Sequence, residues 1–270
     1  MLRVAGLGYL ALLLLAPLSL VFWRTFEHGL GPAWGAVSNP AARHAILITL
    51  VITAIAVPAN TVFGVVCAIV VVRHRFRGKG IVNALVDLPL ALSPVVVGLA
   101  FLLLYGQSGW FGSWLTEHGI QVVFALPGMV LVTIFVSLPF VVREVVPVLR
   151  EIGTEQEQAA STLGASSWQT FRRITLPAIR WAVTYGVVLT TARALGEFGA
   201  VSVISGRIVG KTETMTLHVQ ERYQAFDYVG AYASAVVLAL LALTTLVVLN
   251  VVRREEPRGD RAEPGHEAVR

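Results

Sequence analysis

The sequence predicts an all-α fold: a polytopic membrane helix bundle of six transmembrane helices with both termini in the cytoplasm. Three observations predict it. Of 270 residues, 56% are hydrophobic and only 14% charged, where ordinary soluble domains carry about 25% charged residues. Six apolar runs are each long enough to cross a bilayer core of about 30 Å, which takes about 20 residues of helix. The Lys and Arg residues cluster at the ends of those runs, the pattern that orients membrane proteins. The net charge of +5 and the pI of about 9.8 taken alone would point to nucleic acid. Their placement assigns the charge to the membrane instead, so no nucleic-acid partner is expected.

The six spans fall at about 4–23, 45–72, 81–105, 123–142, 178–204 and 229–252. The first resembles the apolar region of a signal peptide, but it is long and shows no clear small-x-small cleavage site before Arg24. It is therefore expected to be a retained helix. Fifteen basic residues fall on one side of the bundle: Arg3, the "RHRFRGKG" connection, the connection from Arg143 to Arg180, and the tail. Five fall on the other: Arg24, Arg43, Arg207, Lys211 and Arg222. The richer side is the cytoplasm. The tail 253–270 has almost no apolar residues and is expected to be disordered. Cys67 stands alone inside an apolar run, which offers neither a disulfide nor a metal site.

Several spans are interrupted. The second carries Pro58 and Asn60, the third Asp87, Pro89, Ser93 and Pro94, the fourth Pro127 and Pro139. A proline in a span frees a carbonyl and bends the helix, which is tolerated where protein or a water-filled path surrounds it. Ordinary packing explains any single one of these; their number favours a transport path. Asp87 lies about 9 Å into its helix. It is expected to form an interfacial ion pair with the basic residues of "RHRFRGKG".

Between the fourth and fifth spans lies a polar segment, 151–177, containing most of "EQEQAASTLGASSWQTFRRITLPAI", which runs from Glu155 to Ile179. Thr154 with Glu157 and Ser166 with Gln169 both have the spacing of a capping box. Ala159, Ala160 and Leu163 share a helix face. Gly164 follows where a left-handed residue would end the helix. Trp168 and Phe171 can anchor a second short helix, and Pro177 opens the next span at a position where a missing amide costs little. By physics alone this could be a plain helical connector. The pattern of two alanines, three residues, Gly164, nine residues and Ile-x-Leu-Pro (Ile174, Leu176, Pro177) resembles the EAA loop of ABC importer permeases. That resemblance implies a type I ABC importer permease whose loop is a coupling helix docked on an ATPase, with Glu155, Glu157, Gln158, Ala159, Ala160, Leu163 and Gly164 at the contact. Gln158 stands where the family carries an acid. The charged contact then moves to Glu157 or Glu155, or is absent.

On the outer side, Arg193 lies about 22 Å along the fifth span from Ala178, and Glu197 follows one turn later. Ionisable groups in a span usually face a cavity or the bundle interior. The pair either eases passage of an anion or is a mutual salt bridge that locks the helix. Candidates for the path are Arg193, Glu197, Ser93, Pro94, Gly196 and Gly199. "SGRIVGKT" approaches a phosphate-binding loop, but its first glycine is missing and no strand precedes it, so it is expected to be an external turn segment. "ERYQAFDY" is expected either to lie on the membrane surface or to form part of a docking face. The six His are dispersed outside the spans without ligand spacing, which argues against an enzyme. A gradient-driven carrier would show paired repeats rather than a docking helix.

"RALGEFGAVSVISGRIVGKTETMTLHVQERYQAFD" with "DLPLALSPVVVGLAF" resembles the sulfate/thiosulfate branch of ABC importer permeases, nearer its W-type than its T-type subunits; molybdate is the runner-up substrate. The resemblance implies a heterodimer with a T-type permease, a cytoplasmic ABC ATPase dimer, an external substrate-binding protein and a bacterial inner-membrane location. No cofactor is expected on this chain, with ATP and Mg on the partner ATPase.

Overall fold

Proline and glycine decide where the apolar runs become helices. The computed structural model describes residues 2–254, and its regular elements are all helical. Helix α1 (Leu2–Phe26) leads to a short α2 (Leu30–Ser38). Asn39 then caps α3 (Pro40–Arg73) through a 2.7 Å bond from the Ala42 amide to its side chain, with Pro40 in the first turn. That Asn-Pro start extends the helix ahead of the apolar run that begins at 45. At 34 residues, α3 is about 50 Å long, well beyond a bilayer core.

The third expected span is two helices. α4 (Lys79–Ala91) and α5 (Pro94–Tyr105) meet at 111°. The break is local chemistry: Ser93 is extended (ψ 133°) because the residue before a proline is pushed out of the helical region. α6 (Gly112–Glu117) is a short turn of helix, followed by α7 (Leu126–Ser137) and α8 (Pro139–Glu151). These two run as one 26-residue span, Leu126–Glu151, longer than the expected 123–142 because Arg143 and Glu144 do not end a helix that has propensity to continue.

The polar segment forms α9 (Glu155–Thr162), α10 (Ser167–Thr170) and a π-helical turn, Phe171–Thr175, which runs directly into α11 (Leu176–Leu195). The expected fifth span, 178–204, is also broken: α11 stops at Gly196 and α12 (Gly199–Ile204) starts afresh beyond Phe198. α13 (Met215–Gln224) and α14 (Tyr228–Arg254) complete the described chain. Arg253 and Arg254, expected to begin the tail, instead fall in the last turn of α14. The rest of the expected tail, 255–270, lies outside the described residues. Among the described residues, four helices are long and apolar enough to cross a membrane, or five if the bent α4–α5 pair is one span. α11, which carries Arg180 and Arg193, is not among them.

Two apolar cores stack along the bundle. One joins α3, α5, α7, α12 and α13 through Ile48, Ile52, Val97, Met129, Ala200, Ile204 and Leu217. The other joins α3, α8 and α11 through Val65, Ala68, Val141, Val145, Leu149 and Ile179. Between them the buried Asn60 donates to the Ile134 carbonyl (3.1 Å) and to the Ser137 hydroxyl (2.8 Å), so it ties α3 to α7. Glycine permits a close approach here: a Cβ on Gly64 would lie 2.7 Å from the Val141 side chain, and one on Gly186 would lie 2.9 Å from the Val141 Cα. α8 thus wedges between α3 and α11 at a small-residue seam of the kind that brings membrane helices together.

Candidate functional site

The chemistry gathers at the two ends of this bundle. One end carries a protruding handle, α9 with its Gly164 stop. There α9 has no buried residue, Leu163 is 89% exposed and Trp168 67%. Gly164 adopts φ +81°, and the Ala165 amide reaches back to the Ala160 carbonyl (3.0 Å), so the left-handed stop forms as the spacing predicts. The second capping box forms too, with Ser166 and Gln169 exchanging side-chain and backbone bonds.

The first box does not form. Thr154 caps nothing and instead accepts from the Gln158 side-chain amide at 3.0 Å. Glu157 is drawn inward by a stronger partner. Its carboxylate meets Arg73 at the end of α3 twice, Nε–Oε2 at 2.9 Å and Nη2–Oε1 at 3.2 Å, and accepts from the Thr175 hydroxyl at 2.8 Å. An ion pair reinforced by hydrogen bonds from Arg73 Nη2 and the Thr175 hydroxyl outweighs a single cap bond. Glu155, Gln158 and Ala159 remain exposed and Ala160 half-buried. Asp87 does form an ion pair, but with Arg143 on α8 (Nη2–Oδ1 3.0 Å) rather than with "RHRFRGKG". The bundle brings α8 alongside α4, which sequence distance hides.

At the far end the two helix breaks meet. A Cβ on Gly199 would lie 2.8 Å from the Cβ of Pro94, and one on Gly98 only 2.6 Å from the Ala200 carbonyl. α12 therefore lies directly on the α4–α5 break. Ser93 and Gly196 are exposed at this junction and Pro94 and Gly199 half-buried. Arg193 and Glu197 pair with each other, Nη1–Oε2 at 2.6 Å, with the Glu197 side chain 3% exposed. The same carboxylate accepts from the Ala200 amide (2.9 Å), and Thr216 donates to the Glu197 carbonyl (2.7 Å). Glu197 thus neutralises Arg193, starts α12 and pins α13 to the break. The mutual salt bridge is what the geometry contains.

Sequence reading missed a buried network beside it. Glu213 and His218 are both 1% exposed and joined at 3.0 Å, and Glu221 brings its carboxylate close enough for all three ligand atoms to lie within 4.8 Å. Burial alone would raise the Glu213 carboxyl, but hydrogen bonds from His218 and Glu221 and the charges of His218 and Arg222 outweigh it and hold it below the ordinary value. Glu221 is raised by the proton it shares with Glu213, and by burial. One His and two carboxylates is a ligand set of metal-binding type, and the positive charge of Arg222 acts on both carboxylates. The five-residue gap between Glu213 and His218 spans a loop and the start of α13, so no helical spacing announces it. "SGRIVGKT" forms a turn segment, closed by the Thr212 hydroxyl donating to the Ser205 carbonyl at 2.6 Å, with Gly206, Arg207 and Gly210 at positive φ.

An exposed, glycine-stopped helix thus stands at one end of a bundle of interrupted, apolar helices. The chain belongs to the binding-protein-dependent transport system inner membrane component family, which matches residues 60–258. It is thus a multi-pass permease component and not itself an enzyme. It is 50% identical to the sulfate transport system permease protein CysW of Synechocystis over 92% of this chain and 90% of that one. It is 49% identical to the protein of the same name from Escherichia coli K12, over 96% and 90%. The E. coli CysT permease is 39% identical over 97% and 93%. In fold, the chain resembles a bacterial ABC transporter involved in the import of alginate, with a TM-score of 0.78 over 94% of each chain at 18% identity.

Proposed function

We propose that this chain is the W-type permease subunit of an ATP-driven importer that carries sulfate or thiosulfate across the bacterial inner membrane by alternating access. The observation that carries the reading is the half-identity, across nearly the whole chain, to proteins named sulfate transport system permease CysW. The exposed α9 and its Gly164 stop support ATP-driven rather than gradient-driven transport, since a secondary carrier needs no docking helix. Six spans follow if α1, α3, the bent α4–α5 pair, α7–α8, α11 with α12, and α14 each cross the membrane. The excess of basic residues then sets both termini and α9 in the cytoplasm.

The partners in this reading are a T-type permease forming a heterodimer, a cytoplasmic ABC ATPase dimer, and an external sulfate-binding protein. The chain binds no cofactor of its own; ATP and Mg sit on the ATPase. Closure of the ATPase dimer moves α9, and the helices carrying the two breaks reorient to open the path outward. Gly164, Leu163, Ala159 and Ala160 form the face that docks. Arg193 and Glu197, together with Ser93, Pro94, Gly196 and Gly199, lie where the path narrows. An oxyanion of the same charge and shape, molybdate, is the second substrate reading.

Uptake of labelled sulfate and molybdate into vesicles holding the whole complex tests this directly. Sulfate accumulation that requires ATP is the expected result. Accumulation indifferent to ATP would sink the importer class, and preference for molybdate would sink the substrate.

A further inference from the structure

The handle has an acid that faces the wrong way for docking. α9 buries no side chain of its own, so apolar packing cannot make it follow the membrane helices. A cleft of about 280 Å³ lies beneath it, lined by Ile69, Arg73, Glu157, Ser161, Phe171 and Thr175. Within that cleft a polar joint crosses from α9 to the bundle. Glu157 binds the Arg73 guanidinium through both carboxylate oxygens and accepts from the Thr175 hydroxyl. Arg73 also donates through Nη1 to the Leu149 carbonyl at 2.9 Å, one of the carbonyls left open at the end of α8. Thr175 is 5% exposed and closes the π-helical turn that leads into α11.

Building on the transport reading above, we propose that Arg73, Glu157 and Thr175 form the joint through which movement of α9 reaches α3, α8 and α11. They are positioning residues for transport rather than part of the ATPase contact. Three features carry this. The side chains of Arg73 and Glu157 are 11% and 20% exposed, so the pair is shielded from the solvent screening that weakens surface ion pairs. The Glu157 carboxylate is held by hydrogen bonds from two elements, Arg73 Nη2 on α3 and the Thr175 hydroxyl before α11, which fixes direction as well as distance in a way a single contact would not. Between them these side chains reach α3, α8 and the turn that opens α11, the elements that meet at the Val141 seam, so a displacement of α9 enters closely packed helices. A loose hinge would absorb the ATPase stroke; this joint transmits it.

The test uses the complete complex, with permeases, ATPase and binding protein, reconstituted in vesicles. Labelled sulfate moved per ATP hydrolysed is read beside co-purification of the ATPase. In the unsubstituted complex ATP either drives uptake or does not, which decides the transport reading before any variant is made. Thr175→Val keeps the shape and removes one bond, and should lower sulfate per ATP by about threefold. Arg73→Gln and Glu157→Gln should each lower it about tenfold or more, in line with loss of a charge-assisted, part-buried pair. The double variant should lose no more than either single one, because the two side chains act as one unit. Co-purification should stay at the unsubstituted level throughout. A normal ratio in Glu157→Gln overturns the proposal, and so does loss of ATPase co-purification from a folded variant, which would make Glu157 a docking residue. Should Glu157→Gln fail to fold, a normal ratio in Thr175→Val overturns it.

Discussion

The two ends of this bundle use glycine and charge in opposite ways. At the handle end Gly164 stands in open space, where an added Cβ would meet nothing within 4 Å, and it matters only for its left-handed backbone. At the far end Gly199 has an ordinary backbone but no room, with Pro94 2.8 Å from where a Cβ would sit. The charges differ likewise. Asp87 and Arg143 pair near the handle end with about half of each side chain exposed, whereas Glu197 is almost fully buried against Arg193. The handle end is shaped by local turn chemistry and presents itself outward. The far end is shaped by contacts between distant segments and closes on itself. The end carrying α9 keeps its surface free; the end that holds two broken helices together does not.

Breaking the far end should cost most. Glu197→Ala leaves Arg193 without its counter-charge and removes the acceptor that starts α12, so a loss of about 3 kcal/mol is expected. Thermal unfolding of the purified subunit would show it, and an unchanged midpoint would refute the central role given to the carboxylate. The double variant Arg193→Gln with Glu197→Gln sharpens the same point for transport: wild-type sulfate uptake would remove the pair from the mechanism. Gly199→Val should cost about 1–3 kcal/mol by overpacking against Pro94, again seen as a lower midpoint. Gly164→Val brings the comparison to the handle end. Its strain of about 1–2 kcal/mol is confined to one exposed turn, so the global midpoint should barely move while ATPase co-purification falls. Gly164→Ala, also strained but smaller, should fall between. A large loss of global stability in Gly164→Val would erase the distinction between the two ends.

How much of this is legible in the sequence follows the same division. The Gly164 stop, the Ser166–Gln169 box and the exposed alanine face are readable because each depends on residues within five positions of one another. The Glu197–Arg193 contact is readable for the same reason, at one helical turn. What the sequence hides lies between elements. Its spacing assigns Glu157 to a cap, whereas the fold gives it to Arg73, 84 positions away. Asp87 has basic residues near it in sequence, yet its partner is 56 positions off. Pro89, Ser93 and Pro94 mark the third span as interrupted, but hydropathy does not register that Ser93 must be extended before Pro94, so the size of the 111° bend is hidden. The fifth span also hides the restart of α12 beyond Gly196. The meeting of those two breaks, and the seam of Gly64, Val141 and Gly186, are properties of packing alone.

The smallest expected effect concerns the network that sequence reading passes over. Glu221 is raised above the ordinary carboxylate value by the proton shared with Glu213 and by burial. In the folded protein it therefore keeps its proton to higher pH than in the unfolded chain. The stability this contributes is present in acid and is lost as pH rises through the folded value. Glu213, held below its ordinary value, has the opposite sign: its contribution is present above the unfolded value and is lost as pH falls through the folded one. Glu221→Gln supplies a permanent amide donor to Glu213 in place of the shared proton. The decline in unfolding temperature between mild acid and neutral pH should therefore flatten, with the acid-side loss from Glu213 left in place. Glu213→Gln should remove the acid-side loss and flatten the decline as well, because the raised value of Glu221 depends chiefly on the Glu213 carboxylate. Identical pH profiles for the two variants would mean that no proton is shared, and that the far end is held by Glu197 and its glycines without help from this network.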